Sequence, residues 1–327
     1  MANKTVTVRP SGGNYATLAA ALAGEAADLT SGSYYEGGPG ILNIVVEGAW
    51  ENVDSAAVMI SGYTTSNAYY INCYTDASNR AAASGWKTDR YRLSVSNATA
   101  ISLREDNVRF NGFQIEVPAV VADDNNCFEI TNIVAGGDIR FTNCRFRGAG
   151  DSVYHQRGII NSDADSVIKI WNCIFTGFAN DANSAAVRTA GVVDIYNSLA
   201  YGNQAGFVRT AGTVSIYDSV SFENVDDFVS ASLIIDYCAS DDNDGTNNVD
   251  ETAGGKTWAD SFEDPANGDF RLKVGSPLIG AGGKAGSGTF SDDIDGTTRG
   301  AAWDVGPHEY VAAGPSETNI LYMLFES

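Results

Sequence analysis

Ala185 opens the stretch AAVRTAGVVDIYNSLAYGN, and Gly206 opens GFVRTAGTVSIYDSVSFEN. Ten of these nineteen positions are identical at an offset of 21. Weaker copies flank the pair: IRFTNCRFRG from Ile139, IKIWNCIFTG from Ile168, VDIYNSLAYG from Val193, VSIYDSVSFE from Val214 and LIIDYCASDD from Leu233. Successive offsets are 29, 25, 21 and 19. Internal repetition is the first thing to seek in a sequence. A period of this size with variable insertions suits a coil of short strands and turns, whereas helical repeats keep steadier lengths.

Within each copy, apolar residues alternate. Ile139, Ile168, Val193, Val214 and Leu233 fall in one column, and Phe141, Ile170, Ile195, Ile216 and Ile235 in another. This is the period of two of a strand with one buried face. A column of Asn143, Asn172, Asn197 and Asp218 follows. Asn and Asp tolerate left-handed backbone, as a sharp bend between two strands requires. Small residues come next: Cys144, Cys173, Ser198, Ser219 and Cys238. Stacking such coils at the inter-strand spacing of about 4.8 Å gives a parallel β-solenoid.

On these residues the chain resembles the right-handed parallel β-helix, or pectin-lyase-like, proteins from about Ile41 to Asp241. The fold class expected is all-β, with a short N-terminal capping helix and an irregular C-terminal closing segment. VTVRPSGGNYATLAAALAG resembles the strand, glycine turn and short helix that begin many such proteins. Leu18 and Leu22 give that helix an apolar face with which to cover the open end of the coil. NGDFRLKVGSPLIGAG and DDIDGTTRGAAWDVGPHEY resemble a segment that closes bacterial and phage β-helices. Gly280 stands where that segment is expected to carry an acidic residue. Asp293, Asp295, Arg299, Asp304 and Glu309 are read with Asn143, Asn172, Asn197 and Asp218 as structural. The expected division is 1–31 cap, 32–260 β-helix, 261–310 closing segment and 311–327 docking tail.

Twenty Lys and Arg against 41 Asp and Glu leave a formal charge of −21. This argues against nucleic acid as a partner, because phosphate recognition needs clustered basic residues. It argues equally against an anionic membrane surface. No stretch is long and apolar enough to span a bilayer as a helix. MANKTVTVRPSGG passes directly into strand pattern, so neither a signal peptide nor a preceding head-binding domain is expected. Five cysteines at irregular spacing make a poor disulfide or zinc framework, and reduced, buried thiols are expected.

The chemistry of the resembled enzymes finds little foothold. Their paired-aspartate, GHG and RIK patterns are absent, and no enzymatic activity is expected. The remaining candidates are the loop carboxylates Asp151, Asp163, Asp165 and Asp181, which could act as a hydrolytic pair, with His155 for acid–base work. The alternative reading is solvated turn residues in a very acidic protein. In DDNDGTNNVDE, Asp242, Asp244 and Glu251 take calcium-ligand spacing around Gly245, but Ser240 occupies the first ligand position and no helices flank the loop. Calcium is the one cofactor left open.

Two apolar features point outward. Trp171, Tyr196 and Tyr217 precede the corner column, where alternation faces them away from the core. They are assigned to a homotrimer contact, against the alternatives of a sugar platform or a surface covered by a loop. Arg188 and Arg209 stack in the repeated VRTAG, so a carboxylate partner is expected beside them. Ile320, Leu321, Tyr322, Met323, Leu324 and Phe325 form an apolar run in the tail, expected to dock on a neighbouring protomer or shell protein. The whole chain also resembles uncharacterised proteins encoded among phage structural genes. That resemblance implies a virion protein: a trimeric, tailspike-like capsid decoration or cement protein, or else a tail spike or fibre that binds or cleaves surface glycans.

Overall fold

The structure is a computed structural model that describes residues 3–32, 34–36, 38–118, 124–133, 136–150, 154–178 and 181–312. Three parallel sheets run the length of a right-handed β-helix: nine strands in sheet A, seven in sheet B and seven in sheet C. Each regular coil visits A, B and C in turn. Asp138–Thr142, Arg145–Arg147 and Arg157–Asn161 make one coil, and Val167–Trp171, Ile174–Thr176 and Ala185–Thr189 the next. From Val108–Asn111 onward the turn from A to B stays at two residues, whereas residues 76–92 join Ile71–Thr75 of A to Leu93–Ser94 of B. The turn from B to C shrinks along the chain, from 117–127 to 148–156, 177–184 and 202–204. That shortening, with a smaller one between C and A, produces the falling repeat offset.

The alternating columns stack as their spacing predicts. Val6, Ile44, Cys73, Phe110, Phe141, Ile170, Ile195, Ile216 and Ile235 lie one above another in sheet A and face inward. Phe110, Phe128, Phe141 and Phe146 fill the lumen with edge-to-face contacts. At the A–B corner, Asn143, Asn172, Asn197 and Asp218 all take positive φ, from 43° to 54°. Gly112 and Tyr237 extend the same left-handed column by one coil at each end. The five cysteines are free and buried.

Lys4–Val8 is itself the first strand of sheet A. Leu18–Gly24 forms the expected helix, capped by the Thr17 hydroxyl, which accepts from the Ala20 amide. Its buried face is Leu18, Ala21 and Leu22.

The other end differs from expectation. The acidic loop after Asp241 covers the last coil: Thr246 bridges Asp236, and the Val249 amide donates to the Cys238 carbonyl. The closing segment does not sit on that end. It runs back along the flank and lays Phe262, Phe270, Leu272, Leu278, Ile294 and Val305 over Ile174, Leu199 and Val220 on the outer face of sheet B. A stripe of large apolar side chains facing outward on a sheet requires cover, and the closing segment supplies it. Arg188 and Arg209 are not stacked either. Sheet C pairs Arg188 with Val208 and Arg209 with Thr189, one residue out of the sequence repeat. Among the described residues neither arginine has a salt-bridge partner; Arg209 Nε donates to the Gly212 carbonyl.

Candidate functional site

The long B-to-C turns bring together side chains that the sequence leaves far apart. Asp124, His155 and Asp181 each precede a strand of sheet C on three successive coils. His155 Nε2 lies 2.9 Å from Asp181 Oδ1, and its Nδ1 lies 3.9 Å from Asp124 Oδ1. Arg157, nearly buried, pairs with Asp124 at 2.5 Å and donates through Nε to the Asn183 carbonyl. Asp181 also accepts the Asn183 amide at 2.8 Å. An imidazole held between carboxylates can carry a proton. Of this group, the sequence reading singled out His155 and Asp181. Asp124, Arg157 and Asn183 escaped it because their proximity depends on the irregular turn lengths.

Asp163 and Asp165 belong to the opposite end of the same strand, in the C-to-A turn. Asp163 accepts the Ile133 amide through Oδ2 and the Asp165 amide through Oδ1, which makes it a turn residue. The five residues of Arg157–Asn161 separate this turn from His155, roughly 16 Å at strand rise. Carboxyl pairs that hydrolyse glycosidic bonds lie within about 9.5 Å, so Asp163 and Asp181 do not form one. Asp151 lies outside the described residues.

The outward aromatic column is covered in part by its own chain. Trp171 is 8% exposed and stacks on Phe290, with centroids 5.7 Å apart and planes 9° apart. Trp303 also packs on Phe290, with centroids 5.2 Å apart. The expected subunit contact through Trp171 is therefore corrected: Phe290 of the closing segment occupies that face. Tyr196 stacks on Tyr217 at 5.4 Å, and both remain half-buried. Residues 320–325 lie outside the described residues.

Corner and closing segment form one polar network. Asn172 Nδ2 donates to Asn143 Oδ1 and to the Asp292 carbonyl, while its Oδ1 accepts from Arg299. Asn197 donates to the Asp304 and Gly306 carbonyls, and Asp218 accepts the Gly283 and Ala285 amides. Arg299 pairs with Glu309 at 3.2 Å. Asp304 accepts the Gly280 and Tyr310 amides, and burial pushes its carboxyl up to about 6. Gly280 takes φ +67° there.

Two groups bear on metal binding. Asp293, Asp295 and His308 place one ligand atom each within 4.8 Å of one another. Both Asp293 oxygens already accept backbone amides, from Asp295, Thr297 and Glu309, and His308 Nδ1 accepts the Leu272 amide. That set holds the turn of the closing segment. Among the described residues, Asp242, Asp244 and Glu251 do not bring their ligand atoms within 4.8 Å of one another; Asp242 is exposed and Glu251 is buried. Burial, before the neighbouring acids, raises the carboxyls of Asp244 and Glu251.

Among the described residues, no helix is long and apolar enough to cross a membrane. No protein-family model matches the chain, and no curated protein matches it. Among solved structures it is similar to pectate lyase Pel9A, at 15% identity and a TM-score of 0.36, covering 95% of this chain and 98% of that one. It is also similar to the pectin methylesterase from Aspergillus niger, at 14% identity and a TM-score of 0.33, covering 78% of this chain and 95% of that one. At these values the likeness says nothing of activity, and the fold rests on the strand register itself. Three parallel sheets wound coil upon coil, with an asparagine corner, make this chain a right-handed parallel β-helix.

Proposed function

We propose that the protein is a non-enzymatic structural protein of a phage virion, a trimeric tailspike-like capsid decoration protein. The whole-chain resemblance to products of phage structural genes supports the virion. The observation that carries the structural reading is the use of the acidic residues. Asp163 is committed to a turn, Asp218 ties the closing segment to the flank, Asp293, Asp304 and Glu309 brace that segment's internal turns, and a strand length separates the two candidate carboxylate loops. Electron microscopy of the parent particle tests it: density for the β-helix on the capsid surface is expected, and its location solely at the tail tip overturns capsid decoration.

The His155–Asp181 pair beside Arg157 and Asp124 favours a second reading, a tail spike or fibre protein that binds or cleaves host surface polysaccharide. Turnover of host capsule that is lost in both His155→Ala and Asp181→Asn would replace the first reading with this one.

A further inference from the structure

Sheet A carries a polar stripe on its outer face. Asn43, Asn72, Arg109, Arg140, Lys169, Asp194 and Ser215 occupy one outward column in register. Its middle is three cations on three successive coils, about 4.8 Å apart. In a chain with 20 basic and 41 acidic residues, such a stack is not a sample of the average surface. Like charges at that spacing repel unless something compensates them.

The compensation inside the protein is incomplete. Among the described residues, Asp138 is the one carboxylate in the lining of a recess of about 340 Å³ with Arg109, Arg140, Lys169 and Asn67. Arg140 engages both Asp138 oxygens, and Arg109 reaches the same carboxylate at 3.4 Å. The Arg109 guanidinium also lies on the Tyr70 ring, 3.5 Å from its centroid, which fixes its position before any ligand arrives. Lys169 influences Asp138 and Asp194 at longer range. Among the described residues, however, no acceptor lies within ion-pair distance of its ammonium. Three cations against one carboxylate leave the lining with two positive charges in excess, and the donors come from three separate side chains.

We propose that this recess binds a tetrahedral oxyanion, sulfate or phosphate, as the free ion or as the ester substituent of a sugar. Inorganic sulfate and a phosphate monoester are dianions that match the excess charge, and a sulfate monoester, with one negative charge, offsets half of it. A tetrahedral group offers more than the two acceptors of a planar carboxylate, so donors from three coils can reach it together, and charge-assisted hydrogen bonds are the strong ones. The net charge of −21 repels an extended polyanion, which favours a single charged group over a nucleic-acid strand. The site is independent of the virion reading and lies on a different sheet face from His155 and Asp181.

The test is calorimetric titration of the full chain with sodium sulfate, phosphate and glucose 6-sulfate, at ionic strength matched with chloride. Saturable binding is expected. Binding of the inorganic ions alone identifies a free-ion site, and tighter binding of the sugar ester identifies a substituent site. Lys169→Gln, which removes the unpaired donor, is expected to weaken binding about tenfold, and Lys169→Arg to hold it within about threefold. No saturable binding by the unaltered chain, or equal affinity in Lys169→Gln, overturns the proposal. A thermal shift by sulfate of the same size in both proteins would be a general salt effect and overturns it as well.

Discussion

At the scale of single residues, Asn172 joins two demands in one side chain. Its φ of +53° suits a corner, and its amide ties Asn143, Asp292 and Arg299 together. Asn172→Gly keeps the backbone and loses the amide, at a cost of about 2 kcal/mol for buried groups left unpaired. Asn172→Ala loses the amide and adds left-handed strain of about 1 kcal/mol. Thermal unfolding should therefore rank the native chain above Asn172→Gly and Asn172→Ala last. Asp227 makes a different prediction. Burial pushes its carboxyl up to about 7, although Asn224, Ser221 and the Asp241 amide all donate to it. An acid whose pKa is raised on folding binds more protons in the folded state between its two pKa values. Its contribution to stability is thus highest below about pH 4 and declines as pH rises to about 7. Asp227→Asn is expected to flatten the dependence of Tm on pH across that window. An unchanged slope would show that the carboxylate is well solvated or compensated.

At the scale of elements, the closing segment acts as a cover rather than an end cap. Phe290 shields Trp171, and Phe262, Phe270 and Ile294 shield the apolar stripe of sheet B. Phe290→Ala should cost about 3 kcal/mol and raise the share of tryptophan fluorescence quenched by acrylamide. Deletion from Pro265 onward should leave a soluble fraction that binds a hydrophobic dye, because Ile174, Leu199 and Val220 then lose the cover of Phe270, Leu272, Leu278, Ile294 and Val305. These elements also show what the sequence makes legible. Alternating Ile and Val columns and corner asparagines encode their own geometry locally, so coil architecture and register in sheet A follow from spacing, while the capping helix follows from the resemblance of the opening stretch together with Leu18 and Leu22. The cover does not. Nothing local in Phe290 says that it will lie on Trp171, 119 positions earlier in the chain. The one-residue slip between Arg188 and Arg209 is likewise invisible, since two copies of VRTAG look as though they must align. In the candidate site, His155 and Asp181 stand out as residue types, whereas their pairing depends on loop lengths that no periodicity fixes.

At the scale of the whole molecule, the expected assembly is a homotrimer. With Trp171 covered, Tyr196 and Tyr217 remain as the half-exposed pair on that flank, and the sequence offers the apolar run Ile320, Leu321, Tyr322, Met323, Leu324 and Phe325 as a second candidate contact. Sedimentation equilibrium should give three times 34.5 kDa, and a monomer at micromolar concentration would sink the trimer. Truncation after Gly314 should leave the circular dichroism of the β-helix unchanged and abolish either trimerisation or attachment to the particle. A truncated chain that assembles and attaches normally would reduce the tail to packing.

The distance along the chain between the flank and its cover has a consequence in time. Ala83 is held by Asp295, 212 positions later. At 5–20 residues per second, a ribosome needs roughly 10–40 s to travel between them. Throughout that interval the early coils can wind, since their strands are local, but their outer face stays bare. Each nascent chain therefore passes through a stage at which its rod is built and its covering is still unmade. A polysome carrying many such rods side by side is where this protein is most exposed to mispairing, and where a holding chaperone would have most to do.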